Sequence, residues 1–241
     1  MRGMLIGIRI TAMIGWLLAC IPAHFASQLI YRKSRLPRIF LGGICLIAGV
    51  NITRSGERAG DRTILLANHV SWLDIPILAA STGTAFVAHD GLADSVFLKW
   101  LCEMNDTVFI ARTRRATVAR QVDQVRSALE RSPVLTLFPE GTTGNGRDLL
   151  PFKSALLSAI DPPPRDVAVQ PVLVDFGDLA EEIAWAGDEP GLDNFFRILG
   201  RVAELPVTLH FLPPLTGHEL DGRKTIASAV QSALTRAGAA R

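Results

Sequence analysis

At 241 residues and a formal net charge of +2, the chain has room for one α/β domain with a terminal appendage and a sizeable core. The small net charge gives no general nucleic-acid footprint, so nucleic acid is not an expected partner. Cys20, Cys45 and Cys102 stand far apart without metal-ligand spacing, which argues against a disulfide framework and fits a reducing compartment.

The front of the chain is apolar and basic. Residues 1–58 carry eight Arg or Lys against Glu57 alone, a balance suited to an anionic membrane surface. Ile10 to Tyr31 is a 22-residue stretch without Lys, Arg, Asp or Glu, interrupted by Pro22 and His24, and is long enough to span a bilayer. Leu17-Leu18-Ala19-Cys20 looks like a lipoprotein cleavage box. Arg9 intrudes on the apolar region, however, and Arg32, Lys33, Arg35 and Arg38 crowd its far side, which speaks against a cleaved signal. By the positive-inside rule that far side stays cytoplasmic. Ile39 to Val50, with three glycines, is too short to span comfortably and reads as an interfacial or re-entrant helix. Residues 1–50 are therefore expected to form a membrane-associated helical hairpin, with a single-span anchor as the rival. The location expected is the inner (cytoplasmic) membrane, with the remaining residues, 51–241, on its cytoplasmic face.

After residue 51, strand and helix patterns alternate. The predicted strands are Thr63–Ala67, Ala85–Ala88, Val108–Ala111, Val134–Phe138, Val167–Val174 and Val207–Phe211. Val118, Val122, Val125 and Leu129 recur at helical spacing. Ala155 to Ile160 predicts a shorter helix and Thr225 to Arg236 a terminal one. Such alternation predicts an α/β fold, a mostly parallel sheet flanked by helices. The acidic stretch 178–193 reads as a solvated face.

Two stretches at predicted strand ends carry chemistry. In Asn68-His69-Val70-Ser71-Trp72-Leu73-Asp74, His69 is the residue type suited to proton transfer near neutrality, and Asp74 could orient it and stabilise its charged form. On a regular helix an offset of five turns ~500°, which would separate the two side chains. They can meet only where a loop enters a first helical turn, a place that favours Asp74 and accepts Pro76. The competing reading is a structural histidine beside a helix-start acid. The second stretch is Phe138-Pro139-Glu140-Gly141-Thr142-Thr143, where Gly141 permits close backbone approach and Glu140 can accept from a hydroxyl.

Together, Asn-His-x4-Asp and Phe-Pro-Glu-Gly-Thr resemble the 1-acylglycerol-3-phosphate (lysophosphatidate) acyltransferase family over roughly residues 50 to 215. The resemblance implies that 51–241 is an acyltransferase domain with His69 and Asp74 as catalytic pair and Arg112, Glu140, Gly141, Thr142, Thr143 and Lys153 at the substrate. Arg112 matches the family's Phe-Ile-x-Arg block and so implies phosphate binding. His89-Asp90 departs from the pattern, and Thr143 stands where most relatives carry Arg. Some relatives acting on other lysolipids, including lyso-ornithine lipid, are similar in this respect. Val169-Gln170-Pro171-Val172 matches a fourth, structural block.

What the resemblance implies is direct acyl transfer from acyl-CoA or acyl-carrier protein, as co-substrate, to the free hydroxyl of a lysolipid, 1-acylglycerol-3-phosphate being the first expectation. No Gly-x-Ser-x-Gly or metal motif accompanies the pair, so no bound cofactor or metal is expected. A hydrolase using the same pair and a non-enzymatic lipid-binding adaptor remain open on the sequence. Backbone N–H groups near Gly141 are expected to stabilise the oxyanion.

Overall fold

A computed structural model describes residues 2–30, 35–89, 107–110, 118–164 and 166–240. Two helices come first, α1 (Arg2–Ile30) and α2 (Leu36–Ala48). Strands and helices then alternate: β1 (Val50–Ser55), β2 (Thr63–Ala67), α3 (Asp74–Thr82), β3 (Ala85–His89), β4 (Val108–Ile110), α4 (Val118–Arg131) and β5 (Val134–Leu137). A 3₁₀ segment (Ser154–Ile160) leads to β6 (Ala168–Asp175), the short α5 (Ala180–Ile183), α6 (Gly191–Leu199), β7 (Leu205–Phe211) and α7 (Arg223–Ala239).

The strands form one seven-stranded sheet in the order β1-β7-β6-β2-β5-β3-β4. Neighbours run parallel except β6 and β7. All five residues of β2 and all four of β5 are buried, as expected of parallel strands covered on both faces. Successive residues of β2 feed opposite cores. Leu65 and Ala67 join α3, α6 and the end of α2, whereas Ile64 and Leu66 join α4, the 3₁₀ segment and α7. Pro171 lies inside β6. Its carbonyl accepts from Leu212 N–H, so its donor-less nitrogen faces β7 beyond the β7 ladder, which runs from Val172 to Asp175, and no ladder bond is lost.

The predicted mostly parallel sheet with flanking helices is present, and each predicted strand lies within two residues of an observed one; Ala111 falls outside the described residues. Ala155–Ile160 forms a 3₁₀ segment instead of an α-helix. β1 was not predicted. Gly49, at φ 81°, ends α2, and the chain turns directly into an edge strand whose inner face carries only Val50 and Ile52, too few apolar positions to register as a strand. The acidic stretch is likewise more than a solvated face. It contains α5 and the start of α6, buries Ile183 and Ala184, and places Glu181, Glu182 and Glu189 in ion pairs with Arg147, Arg201 and Arg197.

The N-terminal hairpin is packed onto this body. Arg38 donates from Nε to Ala80 O (3.0 Å) and from Nη2 to Ser81 O (3.3 Å), meeting the free carbonyls at the end of α3. Trp16 Nε1 donates to Phe40 O at 3.1 Å. A side chain at Gly43 would collide with the Trp16 ring, so glycine lets the two helices close.

Candidate active site

β2 and β5 are neighbours and parallel, so both motif loops leave the same edge of the sheet. The Asn68 amide exchanges two bonds with the Val174 backbone, Nδ2 to O at 3.0 Å and Val174 N–H to Oδ1 at 2.7 Å. This ties the end of β2 to β6. The chain then turns over Ser71, whose Oγ accepts from Leu73 N–H at 3.0 Å, and α3 begins at Asp74.

Asp74 is fully buried. Its Oδ2 accepts from Val70 N–H (2.6 Å), Ser71 N–H (3.0 Å) and His69 Nδ1 (2.7 Å). A carboxylate so placed selects the His69 tautomer with the proton on Nδ1 and leaves Nε2 as the basic nitrogen. The imidazole stacks on Phe138, with ring centroids 4.0 Å apart and planes inclined by 15°. Nε2 has no hydrogen-bond partner among the described residues. The predicted loop-to-helix geometry for His-x4-Asp is thus present.

Glu140 differs from expectation. Its carboxylate is buried, with Oε1 accepting from His69 N–H at 2.8 Å and Oε2 from Leu150 N–H at 3.0 Å. Both oxygens are committed to backbone, so the side chain braces the histidine loop and does not present itself to a substrate hydroxyl. Gly144 completes the brace, donating its N–H to His69 O at 2.7 Å. A Cβ at Gly144 would stand 3.3 Å from Glu140 Oε2, a close approach that glycine permits.

Burial pushes the Glu140 carboxyl up from 4.5 to about 7, against the two N–H bonds, which favour the charged form. Between pH 4.5 and about 7 the folded state therefore holds a proton that the unfolded state has released. Stability falls as pH rises through that window, by up to roughly 3 kcal/mol, and levels off above it. Glu140→Gln should flatten this part of the pH dependence, because the substituted side chain does not titrate. Urea unfolding at pH 5 and pH 7.5 checks it. An unchanged difference between the two pH values in the variant would remove Glu140 as its source.

Gly141 adopts φ 71°, and its N–H closes a turn on Phe138 O at 3.1 Å. The Gly141 N–H itself is therefore occupied. The N–H groups of Thr142 and Thr143 carry no hydrogen bond among the described residues. Thr142 is exposed. The Thr143 hydroxyl donates to Trp185 O, and Trp185 N–H donates to Val70 O at 2.9 Å. Trp185, which no sequence signal singled out, thereby links both motif loops. The Lys153 ammonium lies 3.4 Å from where a Cβ on Gly141 would stand, and its backbone N–H donates to Pro139 O at 2.8 Å. Arg112 lies outside the described residues. Arg147 is paired with Glu181 at the rim of a cavity of about 260 Å³, which His69, Glu140, Leu173 and Leu234 also line. His210 Nε2 lies 3.4 Å from Asp175 Oδ2.

A family profile described as Acyltransferase matches residues 49–175. The chain belongs to the acyltransferase family. This acyltransferase is 32% identical over 201 residues to the lyso-ornithine lipid O-acyltransferase of Rhodobacter capsulatus, covering 79% of this chain and 71% of that one. It is 32% identical over 207 residues to the Pseudomonas aeruginosa protein of the same name, covering 84% and 78%. The 1-acyl-sn-glycerol-3-phosphate acyltransferase of Neisseria gonorrhoeae is 34% identical over 122 residues, half of this chain and 48% of its own. Among solved structures, the 1-acyl-sn-glycerophosphate (LPA) acyltransferase of Thermotoga maritima superposes with a TM-score of 0.63 over 98% of this chain and 97% of its own, at 19% identity; it shares the fold. The acyltransferase acts on lysolipids and is membrane-associated, and α1 is long and apolar enough to cross a membrane.

Proposed function

We propose that the acyltransferase moves an acyl group from acyl-CoA or acyl-carrier protein to the free hydroxyl of lyso-ornithine lipid. In the reaction, His69 Nε2 takes the acceptor hydroxyl proton while the oxygen attacks the thioester carbonyl. As the tetrahedral intermediate collapses, the C–S bond breaks and the imidazolium returns the proton to the departing thiolate. Asp74 Oδ2 holds the Nδ1 proton and stabilises the imidazolium. The N–H groups of Thr142 and Thr143 are the donors available to the oxyanion. The observation that carries this mechanism is the 2.7 Å bond from His69 Nδ1 to Asp74, with Nε2 without a partner among the described residues. Residues 1–50 serve as the membrane-associated part and 51–241 as the catalytic part, placed on the cytoplasmic face of the inner membrane.

The choice of acceptor rests on Thr143. Its hydroxyl is engaged by the Trp185 carbonyl, so a neutral, structurally occupied side chain stands at the position where the family resemblance implies an Arg in most relatives. The extended similarity to lyso-ornithine lipid acyltransferases supports the same choice. A second reading, 1-acylglycerol-3-phosphate, draws on the Neisseria relative and on Arg112, Lys153 and Arg147 as phosphate partners.

Purified protein assayed with a labelled acyl thioester against both lysolipids decides between them. Under the first reading, Thr143→Arg loses about one hydrogen bond, roughly 1 kcal/mol, so lyso-ornithine use should drop several-fold with no gain on lysophosphatidate. A gain on lysophosphatidate would favour the second reading. Arg112→Ala should then also lower kcat/KM for lysophosphatidate about ten- to a hundredfold, the range for one charge-assisted hydrogen bond.

A further inference from the structure

We infer that α6 is a second membrane-contacting element: Leu192, Phe196 and Val202 insert into the lipid leaflet that receives α1. The inference concerns the surface of the body and is independent of the acceptor.

The exposed side of α6 is divided: Leu192 and Phe196 form an apolar edge that belongs to neither core, and Asp193 and Arg197 a charged edge beside it. Leu192 and Phe196, one turn apart, are 67% and 40% exposed, and Val202 just beyond the helix is 70% exposed. Phe195, beside them, packs inward, its ring 5.2 Å from that of Trp72. The buried side of the helix carries Asn194 and Ile198. Large apolar side chains left in water along a helix and just past its end are a marker of a contact surface.

What covers this face follows from its neighbour. α1 crosses the last turn of α6. Arg9 Nη1 donates to Leu199 O (3.0 Å) and Arg201 O (2.7 Å), and Ile6 Cδ1 lies 3.4 Å from where a Cβ on Gly200 would stand. α1 is apolar on both sides. Ile6, Ile10 and Met13 pack on the body, while Met4, Ile8, Leu18, Phe25 and Leu29 face outward. At 100° per residue these five fall within about 100° of one another, a continuous outward stripe. Because α1 rests on the last turn of α6, a leaflet that takes up α1 meets α6 at its surface. Two of the nearby carboxylates are neutralised, Glu182 by Arg201 and Glu189 by Arg197, while the exposed Asp188 and Glu204 are charges that the contact leaves in water. Asp193, about 100° around the helix from Leu192, stays at the water edge.

The test uses the full-length chain carrying Cys102→Ser, with single cysteines introduced as Leu192→Cys, Phe196→Cys and Val202→Cys and labelled with an environment-sensitive fluorophore. Leu18→Cys is the reference on α1 and Lys224→Cys the reference on the far side of the sheet. The labelled parent corrects for the buried Cys20 and Cys45. Vesicles of phosphatidylethanolamine and phosphatidylglycerol are added, with and without a lipid bearing a quencher in its acyl chain. The expected result is a blue shift at positions 192, 196 and 202, with quenching at least half that at 18 and none at 224. Labels at the three positions that behave like the one at 224 while 18 is quenched would overturn the inference. So would an unquenched label at 18, which removes its premise. A shift that needs no vesicles and grows with protein concentration would assign the face to a second copy of the chain.

Discussion

His69→Ala is expected to lower the acyl-transfer rate by about two to four orders of magnitude, the usual worth of general-base help, while leaving the fold unchanged. The imidazole is one partner of the Asp74 carboxylate, and the other two, the N–H groups of Val70 and Ser71, remain after the substitution. Loss of the side chain therefore leaves no stranded buried charge. Asp74 separates structure from chemistry more sharply. Asp74→Asn keeps an oxygen for Val70 and Ser71 N–H but no longer stabilises the imidazolium. Its rate should fall by roughly 10 to 10³, less than for His69→Ala, with little change in melting temperature. Asp74→Ala leaves two N–H groups inside the protein without partners, at about 1–3 kcal/mol each, and should melt several degrees lower. Steady-state rates and thermal melts on the three variants check this set. A His69→Ala protein retaining more than about a tenth of the wild-type rate would overturn the general-base role.

Removing the N-terminal helices should have two distinguishable effects, depending on where the chain is cut. A deletion of residues 1–34 removes α1, at 29 residues some ~43 Å of apolar helix, and should move the protein from the membrane to the soluble fraction. The body should stay folded, although it loses the packing of Ile6, Ile10 and Met13. A deletion of residues 1–48 goes further. It takes away Cys45 and Ala48, which are buried in the core under α3, together with the Arg38 cap on the end of α3. Two lost core side chains and a lost helix cap amount to about 3–5 kcal/mol, or a fall of roughly 10 °C in melting temperature for a chain of this size. The repeating strand pattern begins only after residue 51, which by itself predicts an undamaged body. The packing of α2 says otherwise. Fractionation and calorimetry of both deletions decide the matter, and equal melting temperatures would refute the structural role of α2.

The active site was legible in the chain to the extent that it is local. His69 and Asp74 are five residues apart, and the turn that joins them is dictated by their own neighbours: a buried β2 before, an acid and a proline at the start of α3 after. The Phe138–Thr143 loop was recognisable for the same reason, as the polar end of a short buried strand. The parallel sheet followed from the alternation of strand and helix. The actual task of Glu140 was not legible. Whether a carboxylate meets a substrate hydroxyl or the His69 N–H, 71 positions away, depends on β2 and β5 being neighbours. Nothing in a window of a few residues encodes that adjacency. Thr143 and Trp185 belong to the same class, since the carbonyl that occupies the hydroxyl arrives from a different part of the chain. β1 escaped because its apolar positions are few, and α6 because nine residues are too short a run for its helical period to stand out. The chain by itself determined which residues could carry the chemistry and which segments could be strands or helices, because those properties reside in short-range pattern and side-chain type. Tertiary structure alone decided that Glu140 braces rather than binds, that α2 belongs to the core, and that α6 turns an apolar face outward. Those outcomes depend on which surfaces meet across the sheet order, where each buried donor needs an acceptor and each apolar face a cover.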